Sequence, residues 1–173
     1  FFIMNILTIT NFNLDIFDPY SIMYCKEWKK TFDSIINLSK NFEQCLIVND
    51  VHNKKDKELC FIPPHCLKDR PIYDLMAKMK GVNRYSKKAF SALSNNHVKQ
   101  VLLECGDKLY LCGFNTSMDV LKTAFDGIDL FNKVVVFEES CGDIMSKNHE
   151  GAINIMRTIG IEIQQWSFLE NDI

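Results

Sequence analysis

Short apolar runs alternate along this chain with stretches whose apolar positions recur every three or four residues. Residues 6–10 (ILTIT), 45–49 (CLIVN), 109–112 (LYLC), 133–137 (KVVVF) and 161–166 (IEIQQW) read as strands, the apolar runs being of the kind a buried parallel strand uses. A sixth strand is expected near residues 59–62. Helical spacing marks 21–38, where Ile22, Trp28, Phe32, Ile35 and Ile36 make an apolar face and Lys26, Lys29 and Lys30 a wet one. It returns at 96–105, from Met118 through Val120, Leu121, Ala124 and Phe125, and at 146–159, which Gly160 closes. A short helix is expected within 72–79. Pro19 punctuates the polar loop after the first strand, and Pro63-Pro64 hold the segment 61–66 (FIPPHC) extended and irregular.

Strands and helices alternating at this interval predict an α/β fold, a three-layer α/β/α arrangement around a mainly parallel, Rossmann-like sheet. With 173 residues the chain holds one substantial core and is too short for two ordinary domains, so 1–173 is expected to be one domain.

Composition then narrows the partners. A formal net charge of −2 leaves no electrostatic footprint for nucleic acid or an anionic membrane. No apolar run approaches the roughly 20 residues needed to span a bilayer. The seven cysteines form no CxxC pair, and Cys45, Cys60, Cys105 and Cys112 sit in or beside apolar runs. They read as reduced thiols in the cytoplasm or another reducing compartment. The opening FFIMN lacks the basic and long apolar segments of a signal peptide. Met4 reads as the natural first residue, with Phe1-Phe2-Ile3 a remnant ahead of it.

The stretch 108–126, KLYLCGFNTSMDVLKTAFD, organises the candidate chemistry. It reads as strand, turn and helix, with Gly113 stopping the strand and Phe114, Asn115 and Thr116 turning tightly. Ligands in open α/β sheets collect beyond such strand ends. The residue presented on the first helical turn is Asp119. Thr116-Ser117-Met118-Asp119 also fits a capping box, in which Asp119 simply closes the helix start.

Asp50-x-His52 stands at another strand end, with His65 thirteen residues after His52. Two imidazoles and a carboxylate suit a divalent transition metal such as zinc, iron or manganese. The bland alternative is a turn Asp and surface histidines. Lys87, beside Lys88, is by default solvated, and Asn11 by default a turn residue. Together, strand ends carrying Asn11, Asp50 and Asp119 would open onto one edge of the sheet.

These pieces resemble the isochorismatase-like cysteine hydrolases, and most of all their nicotinamidase branch. ITNFNLDIFDP is similar to the family's V-D-x-Q-N-D-F, VNDVHN and IPPHC to its D-W-H-P and W-P-P-H-C, and KKAFSAL to K-x-R-Y-S-A-F. LYLCGFNTSMDVLKTAFDG resembles V-x-V-x-G-x-x-T-D-x-C-V-x-x-T-A-x-D-A, and KVVVFEESCGD the V-x-V-V-x-D-A-C that follows. The likeness runs from about Ile6 to Trp166, in order and spacing.

The resemblance implies a triad of nucleophilic Cys, basic Asp and Lys, whose positions here hold Asp119, Asn11 and Lys87. Two of the three depart from the pattern. The family's metal positions match Asp50, His52 and His65, with a fourth ligand of some members falling near Glu58. Cys112 and Cys141 match non-catalytic positions. An amide at 11 takes up no proton, and a carboxylate is a weak nucleophile toward amides. Helix start and Lys87 together are expected to stabilise the Asp119 carboxylate further, lowering its basicity and its reactivity. Lys87 keeps an anionic partner on the helix instead of the first strand. Three readings follow: a non-catalytic member kept as a ligand-binding or structural subunit, a metal-assisted amide or ester hydrolase, and a thiol enzyme using Cys66 or Cys112. A small amide-like ligand is implied, and a homo-oligomer or a place in a larger assembly.

Overall fold

The computed structural model describes residues 4–165. Its strands are β1 (Ile6–Thr10), β2 (Gln44–Asp50), β3 (Val82–Lys87), β4 (Lys108–Phe114), β5 (Lys133–Gly142) and β6 (Glu162–Gln164). All pair in parallel, in the order β3-β2-β1-β4-β5-β6. Helices α1 (Trp28–Ser39), α2 (Tyr73–Met76), α3 (Asn96–Cys105), α4 (Leu121–Ile128) and α5 (Ser146–Thr158) connect them. The expected α/β/α layering is what forms.

The layers follow from side-chain alternation. On one face Tyr110 of β4 and Phe137 of β5 pack against Phe42, which follows α1. On the other, Leu109 and Val134 meet α4 at Gly127, where a Cβ would lie 2.6 Å from Leu109. α1 turns Phe32, Ile35, Ile36 and Ser39 inward, at the spacing of a single helical face. Phe32 packs edge-on against Phe12 and Phe114, bringing the ends of β1 and β4 under one aromatic cluster. Among the described residues no helix is long and apolar enough to cross a membrane.

Several expected boundaries move. The first helix begins at Trp28, not at 21. Ser21 Oγ accepts from the Met23 N–H (3.1 Å), and the Cys25 N–H is taken by Ile16 O (2.8 Å). These bonds give the backbone a non-helical alternative. The sixth strand is not near 59–62, where Lys57–Cys60 forms a 3-10 turn. It is β3, whose sequence VNRYSK is half-exposed at the sheet edge and so lacks an apolar run. Gly113 does not end β4 but lies inside it, at φ +119. A Cβ there would stand 2.2 Å from Thr10 O, so only glycine lets β4 approach β1 this closely. The expected last strand is β6; Trp166 and residues 1–3 lie outside the described part.

Candidate functional site

Strand order reverses between β1 and β4, and the polar residues of the chain gather beyond those carboxyl ends. Asn11 follows β1 in a left-handed conformation, φ +53. Asp50 ends β2 and Lys87 ends β3, and the two are direct partners in the β2–β3 register. Asp119 comes from a π-helical turn, Thr116–Val120, between β4 and α4. Thr123 Oγ1 ties that turn down: it donates to Asp119 O (2.6 Å) and accepts the Ala92 N–H (2.9 Å) from the segment after β3.

The four side chains form one buried network. Lys87 Nζ donates to Asp50 Oδ1 and to Asp119 Oδ1. Asn11 Nδ2 donates to Asp50 Oδ2 (2.7 Å), while Asn11 Oδ1 accepts the Asp50 N–H (2.8 Å). Asp119 Oδ2 accepts the Asn115 N–H (3.2 Å). Lys87 is therefore not solvated but 3 % exposed, and Asn11 is a fully buried clamp on Asp50, not an ordinary turn residue. The capping box forms only in part: Asp119 caps Asn115, one residue before Thr116. The Thr116 hydroxyl instead donates to Gly142 O (3.0 Å).

The acidity of Asp119 reverses the expectation from sequence. Burial raises its pKa to about 7; Lys87 opposes the rise and Asp50 adds to it. Desolvation outweighs the helix start and the lysine because the whole carboxylate is out of water. Burial by itself would lower Lys87, but Asp119 and Asp50 hold it above its ordinary value and protonated. Two carboxylates and one ammonium leave the network at a net −1 when fully ionised.

A pH dependence follows. From 3.8 to about 7 the folded state holds the Asp119 proton more tightly than the unfolded chain does. This group's contribution to stability must therefore fall as pH rises through that window, by at most about 1.4 kcal/mol per pH unit. Urea denaturation from pH 4.5 to 7.5 should show a falling slope that Asp119→Asn flattens. Identical slopes for the two proteins would remove the burial argument.

Beside the network lies a cluster of side chains that could hold a metal ion. Asp50, His52 and His65 are all buried, with ligand atoms within 4.8 Å of one another. Glu58 joins them: its Oε1 is 3.5 Å from His52 Nε2 and 3.4 Å from His65 Nε2. His65 Nδ1 lies 2.9 Å from Pro63 O, so Nδ1 carries a proton, and a neutral ring would turn a lone pair on Nε2 toward Glu58. Glu58 Oε1 and both ring nitrogens of His52 are buried with no hydrogen-bond partner. His52 Nε2, His65 Nε2 and Glu58 Oε1 converge, and a cation would satisfy such facing atoms, so the donor set fits a divalent ion. Asp56 Oδ2 lies 3.4 Å from His52 Nδ1, an approach with no signal in the sequence. A cleft of about 320 Å³, lined by Asp15, Asp18, Arg70 and Cys66, reaches His65.

The thiols fare differently. Burial pushes Cys66 and Cys112 well above the usual thiol range, and Asp15, Asp50 and Asp119 push Cys66 further the same way. An activated thiol needs the opposite environment. Neither supports the thiol-enzyme reading.

Fold and site together define a doubly wound α/β domain with an ionic centre at its topological switch and a transition-metal ligand set beside it. The chain belongs to the isochorismatase family, whose isochorismatase domain model matches residues 25–167. Similar solved structures include an isochorismatase family protein from Desulfovibrio vulgaris, 22 % identical, covering 96 % of each chain at a TM-score of 0.78. A pyrazinamidase/nicotinamidase from Streptococcus mutans is 20 % identical over 92 % of this chain and 99 % of its own, at 0.77. A nicotinamidase/pyrazinamidase from Bacillus subtilis is 21 % identical over 92 % and 98 %, at 0.76. A comparison with curated protein sequences finds no match.

Proposed function

We propose that this chain is a catalytically degenerate isochorismatase-family member that serves as a binding or structural subunit, in a homo-oligomer or a larger assembly. The carrying observation is the closed network itself. Where the family pattern has a thiol, Asp119 is engaged by Lys87 and the Asn115 N–H. Where it has the base, Asn11 donates its amide to Asp50. An amide accepts no proton, and a buried carboxylate that shares its lysine and is partly protonated near pH 7 is a poor nucleophile. The ions are satisfied by one another without chemistry.

Ammonia release from nicotinamide and a panel of simple amides is expected to stay at background. Turnover that survives thiol alkylation but stops with Asp119→Ala would overturn this reading and make Asp119 catalytic.

One observation favours a second reading, an amide or ester hydrolase using metal-assisted chemistry: the cleft that reaches His65. Asp50, His52, His65 and Glu58 would hold zinc, iron or manganese, which supplies Lewis acidity toward a carbonyl when bound. In that reading Arg70 and Asp15 at the cleft would orient a small amide-like ligand. Turnover abolished by a chelator and restored by metal separates it from the first.

A further inference from the structure

We propose that Asn11, Lys87 and Asp119, the positions of the replaced triad, now act as positioning residues for Asp50, so that the site retains the capture of one divalent cation by Asp50, His52, His65 and Glu58. This deepens the degenerate reading and rests on it.

The hydrogen bonds converge on Asp50. Its Oδ2 takes the Asn11 amide (2.7 Å), its Oδ1 takes Lys87, and its own N–H is held by Asn11 Oδ1 (2.8 Å). Asn11 and Asp50 thus grip each other at both ends, and the carboxylate plane is set before any cation arrives. Each carboxylate oxygen keeps a lone pair beyond the one it uses. A carboxylate oxygen of Asp50 lies within 4.8 Å of ligand nitrogens of His52 and His65.

The amide at 11 suits this role. A carboxylate there would face Asp50 Oδ2 across 2.7 Å with no donor between them. The Asn11 amide instead donates to Asp50, a bond that an ionised carboxylate at 11 would not make. Asp119 answers the second difficulty. Lys87 bound to Asp50 alone would cancel the charge that draws a cation. Drawn also to Asp119, the ammonium is shared, and Asp50, Asp119 and Lys87 together carry −1 when Asp119 is ionised. With Glu58 the surroundings reach −2, matched to a divalent ion. The two departures from the family pattern therefore compensate: one negative charge leaves β1 and one appears at the helix start, across the same lysine.

The unpartnered His52 Nε2 and Glu58 Oε1 point independently to the same occupant. A network that only plugged a dead site would leave these acceptors unexplained. It would also have no reason to orient Asp50 toward them.

The test uses the whole chain, purified without a histidine tag and stripped with a chelator. Zn²⁺ is titrated against a chromophoric competitor, and the visible spectrum of the Co²⁺ form is recorded. Wild type is expected to bind one ion per chain. Asp119→Asn, folded by circular dichroism, should bind about 10-fold to 100-fold more weakly and shift the Co²⁺ bands, the range seen when outer partners of metal ligands are lost. Asn11→Ala should do the same and serves if Asp119→Asn does not fold. His52→Ala should abolish binding. Unchanged affinity and spectrum in the folded Asp119 or Asn11 variant overturns the inference, as does a wild type that takes up no Zn²⁺. Amide hydrolysis is assayed on the same samples. Turnover by metal-loaded wild type overturns the degenerate reading and this inference with it, whereas unchanged affinity without turnover overturns the inference alone.

Discussion

Lys87→Met is expected to destabilise the protein by about 3–5 kcal/mol at neutral pH, the scale of a buried ion pair broken from one side. Methionine fills most of the volume, so packing loss is small and the electrostatic loss dominates. Asp50 and Asp119 would remain, 2 % and 1 % exposed, with no cation between them. Water cannot take over the role of Lys87, because its side chain is itself fully buried. The deficit should shrink as pH falls, since protonating one carboxylate removes the repulsion. Urea denaturation at pH 5 and pH 7.5, in chelator so that no metal substitutes for the lysine, measures both effects. A loss under about 1 kcal/mol, or one independent of pH, would mean that the ammonium is not what holds the two carboxylates.

Asn11→Asp combined with Asp119→Cys is expected to raise amide hydrolysis at least about 100-fold over wild type, while each single change stays within about 10-fold of background. Nucleophile and base act as a unit, so restoring one without the other recovers little. Charge counting gives the same asymmetry. Asn11→Asp alone sets three carboxylates around Lys87 and drives a proton onto one of them. Asp119→Cys alone puts a thiol beside Lys87 with only Asn11 where a base is needed. The double change moves the charge back across the lysine and keeps the network at −1. Ammonia release from nicotinamide by the four proteins is the measurement. A single mutant as active as the double would break the unit, and an inactive, folded double would show that more than these two positions has drifted.

Much of the fold was legible because apolar runs and helical periodicity report burial directly. β1, β2, β4, β5, α3 and α5 form where those patterns stand. β3 was not legible: an edge strand exposed along one side carries Asn83, Arg84 and Ser86, and reads as a loop. The first helix was read too long because Ser21 and Ile16 divert the backbone before Trp28.

For the site, the sequence by itself determined that Asn11 and Asp50 stand at strand ends and that positions 11 and 119 hold an amide and a carboxylate. It also determined the ligand types Asp50, His52 and His65. Only the tertiary structure decided that Lys87 is shared between Asp50 and Asp119, 37 and 32 positions away. Only it decided that Asn11 clamps Asp50 from 39 positions away, and that Glu58 faces both histidines. The reason is physical. Periodicity is local and reveals the buried face of one element. A charge's environment is set by sheet register, which brings Asp50 beside Lys87 and removes the water that would have screened them. That removal of water raises Asp119 when its neighbours in sequence alone would have lowered it.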